Sequence, residues 1–217
     1  MKKKMNVKTM VLLAMLAAIA FLLVALIRIP VVMFLSYEPK DVVIAIGGFL
    51  LGPMASFVIS VVVSFLEMVT ISSTGPIGAV MNLLSTCSFA CTAAVIYKRK
   101  RTLGGAVIGL LSGSVVMVGV MLLWNYLITP LYMTGTSRSD IAAMLIPVFL
   151  PFNALKAGFN TALTLLLYKP LVSALRKTGL VENRQTKPGT SKAGSYLLAF
   201  LLLATCVLLL LVYQGKI

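Results

Sequence analysis

Between Asp41 and Lys98 the chain carries a single charged residue, Glu67. A soluble domain is charged at roughly one residue in four, so a stretch this bare has no aqueous surface to offer. Similar runs recur at Met10–Ile27, Leu103–Ile128, Pro147–Tyr168 (interrupted only by Lys156) and Tyr196–Tyr213. Each is close to the ~20 apolar residues that cross a bilayer as a helix. Hydrophobic residues make up 60% of the 217 and charged residues 11%, and mean hydropathy is +1.05. Seven spans of ~20 residues use most of the length and leave no room for a soluble domain. The expected fold is an all-α integral membrane protein.

The span count follows from turn signals and charge. Gly52-Pro53 and Ser72-Ser73-Thr74-Gly75-Pro76 divide the long charge-free stretch into pieces at 42–51, 54–70 and 77–97. The first piece is short for a span and is expected to tilt or to be shielded by its neighbours. The basic clusters at 2–8 and 98–101 should both face the cytoplasm, which requires an even number of spans between them. One plus three satisfies this. Two further spans return the chain to Lys169, Arg176 and Lys177, and a polar stretch at 179–195 reads as a cytoplasmic linker to a seventh span. On this topology fourteen basic residues lie inside, four (Arg28, Lys40, Arg138, Lys216) lie outside, and Lys156 is within a span, accounting for all 19. The expected location is the plasma membrane, with the N-terminus inside and the C-terminus outside. Ala18-Ile19-Ala20 imitates a signal-peptide cleavage site, but the apolar run continues to Ile27, so it reads as a retained first span.

Composition removes several functions. With no His, a Ser-His-Asp triad, a His-ligated zinc and a His-ligated haem are excluded. Cys87, Cys91 and Cys206 are too few and too apolar in setting for a disulfide framework, and two thiols at i, i+4 make a poor metal site. The formal charge of +14 flanks apolar runs instead of forming a nucleic-acid patch.

The polar groups inside the spans gather at one depth. At 1.5 Å per residue, Glu67 lies about 20 Å from the inner face, Asn125 about 33 Å, and Asn153 and Lys156 about 18–23 Å. Asn82 sits near the outer start of its helix. All fall in the outer half, which suggests a pocket open to the outside and not a pore. Ionisable groups in a span are costly and tend to mark function. Glu67 and Lys156 could form a structural ion pair between helices, or line a polar cavity with the Asn side chains. Asn153, Lys156 and Asn160 share one helical face, and Pro147 and Pro151 could unwind the turn before it. One positive and one negative group suggest a ligand with little net charge.

Two other features have competing readings. Residues 33–41, with Leu35, Tyr37, Glu38 and Lys40, form either an interfacial aromatic belt or a lid over the pocket. Ala14, Ala18 and Ala25 align on the first span, either by the commonness of alanine in membrane helices or as a docking surface for a partner helix.

The segments FLSYEPKDVVIAIGGFLLGP, EMVTISSTGPIGAVMNLLST, NYLITPLYM and IPVFLPFNALKAGFNTALTLLLYKPL resemble the riboflavin-specific substrate-binding subunit (S component) of energy-coupling factor transporters, over roughly residues 8–178. The resemblance implies a six-helix vitamin-binding membrane protein, here spanning 1–178, that works with a transmembrane coupling subunit and two cytoplasmic ATPases. It implies that Leu35, Tyr37 and Glu38 close over the flavin, and that Asn125, Asn153 and Lys156 hydrogen-bond its ring edge and ribityl hydroxyls. It also likens the alanine face to the surface offered to the coupling subunit. No GxxxxGK[ST] phosphate loop is present, so ATP chemistry falls to partners, and no cofactor or metal is expected. The seventh helix and tail at 196–217 depart from the six-helix pattern. Three alternatives stay open: a related ligand such as flavin mononucleotide, an intramembrane enzyme using Glu67 and Lys156 as an acid–base pair, and a channel.

Overall fold

The computed structural model describes residues 6–32, 35–72, 75–133, 135–177 and 192–213. The N-terminal lysines 2–4, the tail including Lys216 and most of the linker expected at 179–195 lie outside the described residues; residues 192–195 already belong to a helix.

Helix α1 (Val7–Leu26) starts at Asn6, whose side chain accepts the Lys8 N–H, an N-cap that satisfies one orphan donor. A two-stranded hairpin follows, β1 (Ile29–Val32) and β2 (Leu35–Tyr37), paired antiparallel. Among the described residues this hairpin is the one strand pair in a chain that is otherwise all-α, as expected. Ile29, Val31 and Val32 are β-branched and fit a strand, and Pro30 suits an edge.

Helix α2 (Lys40–Leu51) ends at Gly52, whose φ of +102° only glycine adopts readily. Pro53 then opens α3 (Pro53–Thr70) at its first position, where its missing N–H costs nothing. The turn read from Gly52-Pro53 is thus observed. Residues Lys40 through Phe49 are all buried, as required of a 12-residue helix that is too short to span. A Cβ at Gly48 would collide with Ser56 Oγ and sit 2.8 Å from the Ala94 Cβ, so α2 is pressed directly against its neighbours.

Helices α4 (Gly75–Lys100) and α5 (Leu103–Tyr132) form a tight antiparallel pair. Thr102 caps α5 by accepting the Gly105 N–H at 3.0 Å. Gly109 and Gly113 let the backbones touch: a Cβ at Gly113 would lie 2.5 Å from the Phe89 carbonyl oxygen, and one at Gly109 2.7 Å from that of Ala93. This is the small-xxx-small packing that drives helix association in lipid. Gly113→Ala should therefore destabilise the bundle by about 1–3 kcal/mol, the usual cost of overpacking. Unfolding of the purified chain in SDS is the measurement, and an unchanged midpoint would show that the two backbones separate freely.

The chain then makes a short α6 (Arg138–Met144), opened by a Ser137–Asp140 capping box. A π-turn over Leu145–Phe149 leads into α7 (Leu150–Lys177), and the Leu150 N–H donates to the Leu145 carbonyl. Pro147 sits inside that turn. It lacks the N–H for an ordinary α-helical bond, and the helix responds by widening one turn instead of unwinding. Last comes α8 (Lys192–Tyr213).

Five helices are long and apolar enough to cross a membrane, the fifth running continuously from Arg138 to Leu175, and Tyr196–Val212 is a shorter apolar helix. Among the described residues the expected seven segments are thus all helical, with α2 enclosed by the others. At the end carrying Lys98–Lys100, the Tyr97 and Tyr168 hydroxyls are hydrogen-bonded to each other beside Phe49.

Candidate binding site

At the opposite end, the hairpin, the end of α3, the start of α4, the end of α5 and the start of α7 enclose one cavity of about 100 Å³. Leu35, Glu38, Glu67, Asn82, Asn125, Asn153 and Lys156 line it, along with Arg28, Ser85 and the apolar Met81, Met121 and Phe152. Seven side chains singled out along the sequence therefore meet at one place. Tyr37 and Asn160 do not line the cavity; they stand behind it, joined by a 3.1 Å hydrogen bond from the Tyr37 hydroxyl to the Asn160 Oδ1. Burial pushes the Tyr37 hydroxyl up, so it stays protonated and donates.

The ionic pairing differs from the one expected. Glu67 and Lys156 are not partners. Lys40 Nζ lies 2.6 Å from both Glu67 oxygens and 2.9 Å from Glu38 Oε2. Asn82 Nδ2 adds a 2.8 Å bond to Glu67. Lys156 Nζ lies 3.5 Å from Asp41 Oδ2 and 3.2 Å from Ser85 Oγ. Asp41 also accepts from Thr86 Oγ1 at 2.6 Å and from Asn160 Nδ2 at 3.0 Å. Lys40 and Asp41 are 1% and 0% exposed, so Lys40, expected at the outer end of the bundle, lies in its interior and not on its surface. It is drawn inside because two carboxylates await it, and a buried charge survives only when paired. Three cations (Arg28, Lys40, Lys156) face three carboxylates (Glu38, Asp41, Glu67). Among the described residues the cluster is electrically balanced.

The two asparagines are held by their own helices. Asn125 Nδ2 donates to the Met121 carbonyl and Asn153 Nδ2 to the Phe149 carbonyl, each at 2.7 Å. Thr129 Oγ1 donates to Asn125 Oδ1 at 3.1 Å. Both carboxamides are thus pre-oriented at the cavity wall.

Arg28 fastens the hairpin, with Nη2 2.8 Å and Nε 2.9 Å from Glu38 Oε1. Burial pushes the Glu38 carboxyl up, but the charges of Lys40, Lys156 and Arg28 outweigh it and hold the group below the ordinary glutamate range. A carboxylate with a depressed folded value contributes stability above its unfolded pKa and loses it as pH falls through the folded one. The hairpin should therefore stay equally closed from pH 8 to about 5 and loosen only below the usual glutamate value of about 4.3. Spin-label mobility at Ser36→Cys checks this. Loosening already at pH 6, or the same profile in Glu38→Gln, would assign the closure to another group.

On α1, Ala14, Ala18 and Ala25 are exposed while Ala17 turns into the core.

Residues 8–168 match the sequence model of the substrate-specific component of ECF transporters. The chain belongs to this family. It is a multi-pass membrane component of a transporter and not an enzyme. It is similar to the riboflavin transporter RibU of Staphylococcus aureus (strain TCH60), 30% identical over 187 residues that cover 81% of this chain and 98% of the relative. The riboflavin transporter FmnP of Bacillus subtilis (strain 168) is 28% identical, with 79% and 97% covered. A solved S component of a bacterial ECF transporter superposes with a TM-score of 0.64 at 31% identity, covering 78% of this chain and 98% of that one. Helix α8 lies beyond the segment that the family model matches.

Proposed function

We propose that the chain is the riboflavin-binding subunit of an ECF-type importer, capturing the vitamin from outside the cell. The observation that carries this is the cavity: apolar walls from Leu35, Met81, Met121 and Phe152, rimmed by amides and by charges that cancel. Riboflavin is an uncharged tricycle with polar edges, and such a ligand needs broad apolar faces and a few placed hydrogen-bonding groups. Asn125, Asn153 and Lys156 would address its ring edge and ribityl hydroxyls, with Glu67, Asn82 and Asn160 supporting them. Leu35, Tyr37 and Glu38 would close over it. Flavin mononucleotide fits less well, because every cation at the cavity is already matched by a carboxylate and none is left for a phosphate.

At about 100 Å³ the cavity is smaller than the roughly 300–1,000 Å³ of typical ligand pockets. Binding would therefore require the hairpin to swing out and re-close over the ligand.

In this reading residues 1–178 are the binding domain, 179–191 a cytoplasmic linker and 192–217 an added helix and tail. The positive-inside rule puts Lys98–Arg101 in the cytoplasm and the cavity outside, in the plasma membrane, with the N-terminus in and the C-terminus out. ATP-driven uptake would depend on a coupling subunit and two ATPases, with the exposed Ala14–Ala18–Ala25 face of α1 as the docking surface.

Trp124 supplies the test. It neighbours Asn125 and is the one tryptophan of the chain. Micromolar riboflavin should quench its emission and co-purify as a yellow complex. Purified, folded protein that does neither would remove riboflavin as the ligand.

A further inference from the structure

Helix α8 is placed where it can act on the hairpin. It packs along α7 and reaches β1. The approach to α7 is close: a Cβ at Gly158 would lie 2.5 Å from Cys206 Sγ and 3.7 Å from Leu202 Cδ2. Cys206 belongs to one apolar cluster with Val31, Leu35 and Tyr37 of the hairpin and Phe159 of α7, and Leu202 and Leu210 pack against it. The Tyr37 ring also stacks on Phe159 at 5.1 Å. The hairpin is therefore wedged between the cavity on one side and α8 on the other.

From this cluster a continuous set of contacts runs to the cavity. Tyr37 bonds Asn160, Asn160 bonds Asp41, and Asp41 pairs with Lys156. Leu35 bridges directly, being both a member of the cluster and part of the cavity wall. The relatives, covered over 97–98% of their length by about four-fifths of this chain, leave room for such an addition.

We propose that α8 is a buttress for the hairpin: its Leu202–Cys206–Leu210 face backs Val31, Leu35 and Tyr37, limits how far the hairpin opens, and so slows ligand escape from the cavity. A hairpin of two short strands is marginal alone, so its closed state depends on what it leans against. The retention part rests on the vitamin-binding reading; the part concerning the hairpin does not.

The test uses the full chain in nanodiscs and follows amide exchange at Ile29, Val31, Val32 and residues 35–37 of the strands. Gly158→Ala places a methyl against Cys206 Sγ and should push α8 away. Strand exchange should then rise roughly tenfold, as expected when a local opening equilibrium loses one well-packed apolar contact. Gly158→Ala/Cys206→Ala removes the colliding sulfur and should restore the original rate. A chain ending at residue 191 should exchange at least as fast as Gly158→Ala. Equal strand exchange in the parent, Gly158→Ala and truncated chains would overturn the proposal, as would failure of the double variant to recover. Riboflavin release is measured in parallel and should quicken in the same order. Altered exchange with no riboflavin binding in any chain would overturn the ligand reading and the retention part, and leave the buttress standing.

Discussion

Asp41→Ala is expected to destabilise the folded chain by about 3–5 kcal/mol, the loss typical when one member of a buried ion pair is removed. Asp41 is fully buried, and α7 and α4 both hold on to it, through Lys156, Asn160 and Thr86. Without it Lys156 keeps only Ser85 as a hydrogen-bond partner in this network, and a buried ammonium with so little compensation is costly. The penalty comes from the stranded charge, so Asp41→Ala/Lys156→Met should recover much of the loss. Thermal unfolding in detergent, followed by circular dichroism, distinguishes the cases. A single variant as stable as the parent would mean that the network contributes nothing. A double variant no better than the single would point to the Thr86 and Asn160 bonds instead of the ion pair.

The second large effect concerns ligand affinity under the proposed function. Lys156→Met should weaken riboflavin binding by about 1.5–3 kcal/mol, the range for a hydrogen bond to a charged group, or roughly 10- to 150-fold in Kd. Asp41 remains hydrogen-bonded to Thr86 and Asn160 in that variant, so the fold should survive well enough for titration. Asn153→Ala removes a neutral group and should cost about 0.5–1.5 kcal/mol. Fluorescence titration of Trp124 measures both. Parent-like affinity in Lys156→Met would take that lysine out of the site and reduce it to a partner for Asp41.

Much of this architecture was legible because lipid permits few solutions. An apolar run must be helical, and Gly52-Pro53 could only be a break. The depth argument worked for Glu67, Asn125, Asn153 and Lys156 because helices convert residue number into height. It did not reach Lys40 and Asp41, which sit at a junction where charge reads as loop. Their partners are 27 and 119 residues away in sequence, and no local pattern announces contacts that distant. The one available signal was that the charge-free stretch begins directly after this Lys-Asp pair. The hairpin was hidden for a related reason: Ile29-Pro30-Val31-Val32 is too short to show alternation above the apolar background. The π-turn was hidden too, since Pro147 alone is equally compatible with a kink or an unwound turn.

The burial of α2 on every side has a consequence for how the protein is made. A 12-residue helix headed by Lys40-Asp41 is a poor substrate for insertion by itself, because a span needs ~20 apolar residues. Its longer neighbours α1, α3, α4 and α5 can enter the bilayer one at a time during synthesis. Helix α2 cannot, and Asp41 finds Lys156 and Asn160 only after α7 has left the ribosome. The ion-pair network that buries α2 can therefore close only once α7 has been made.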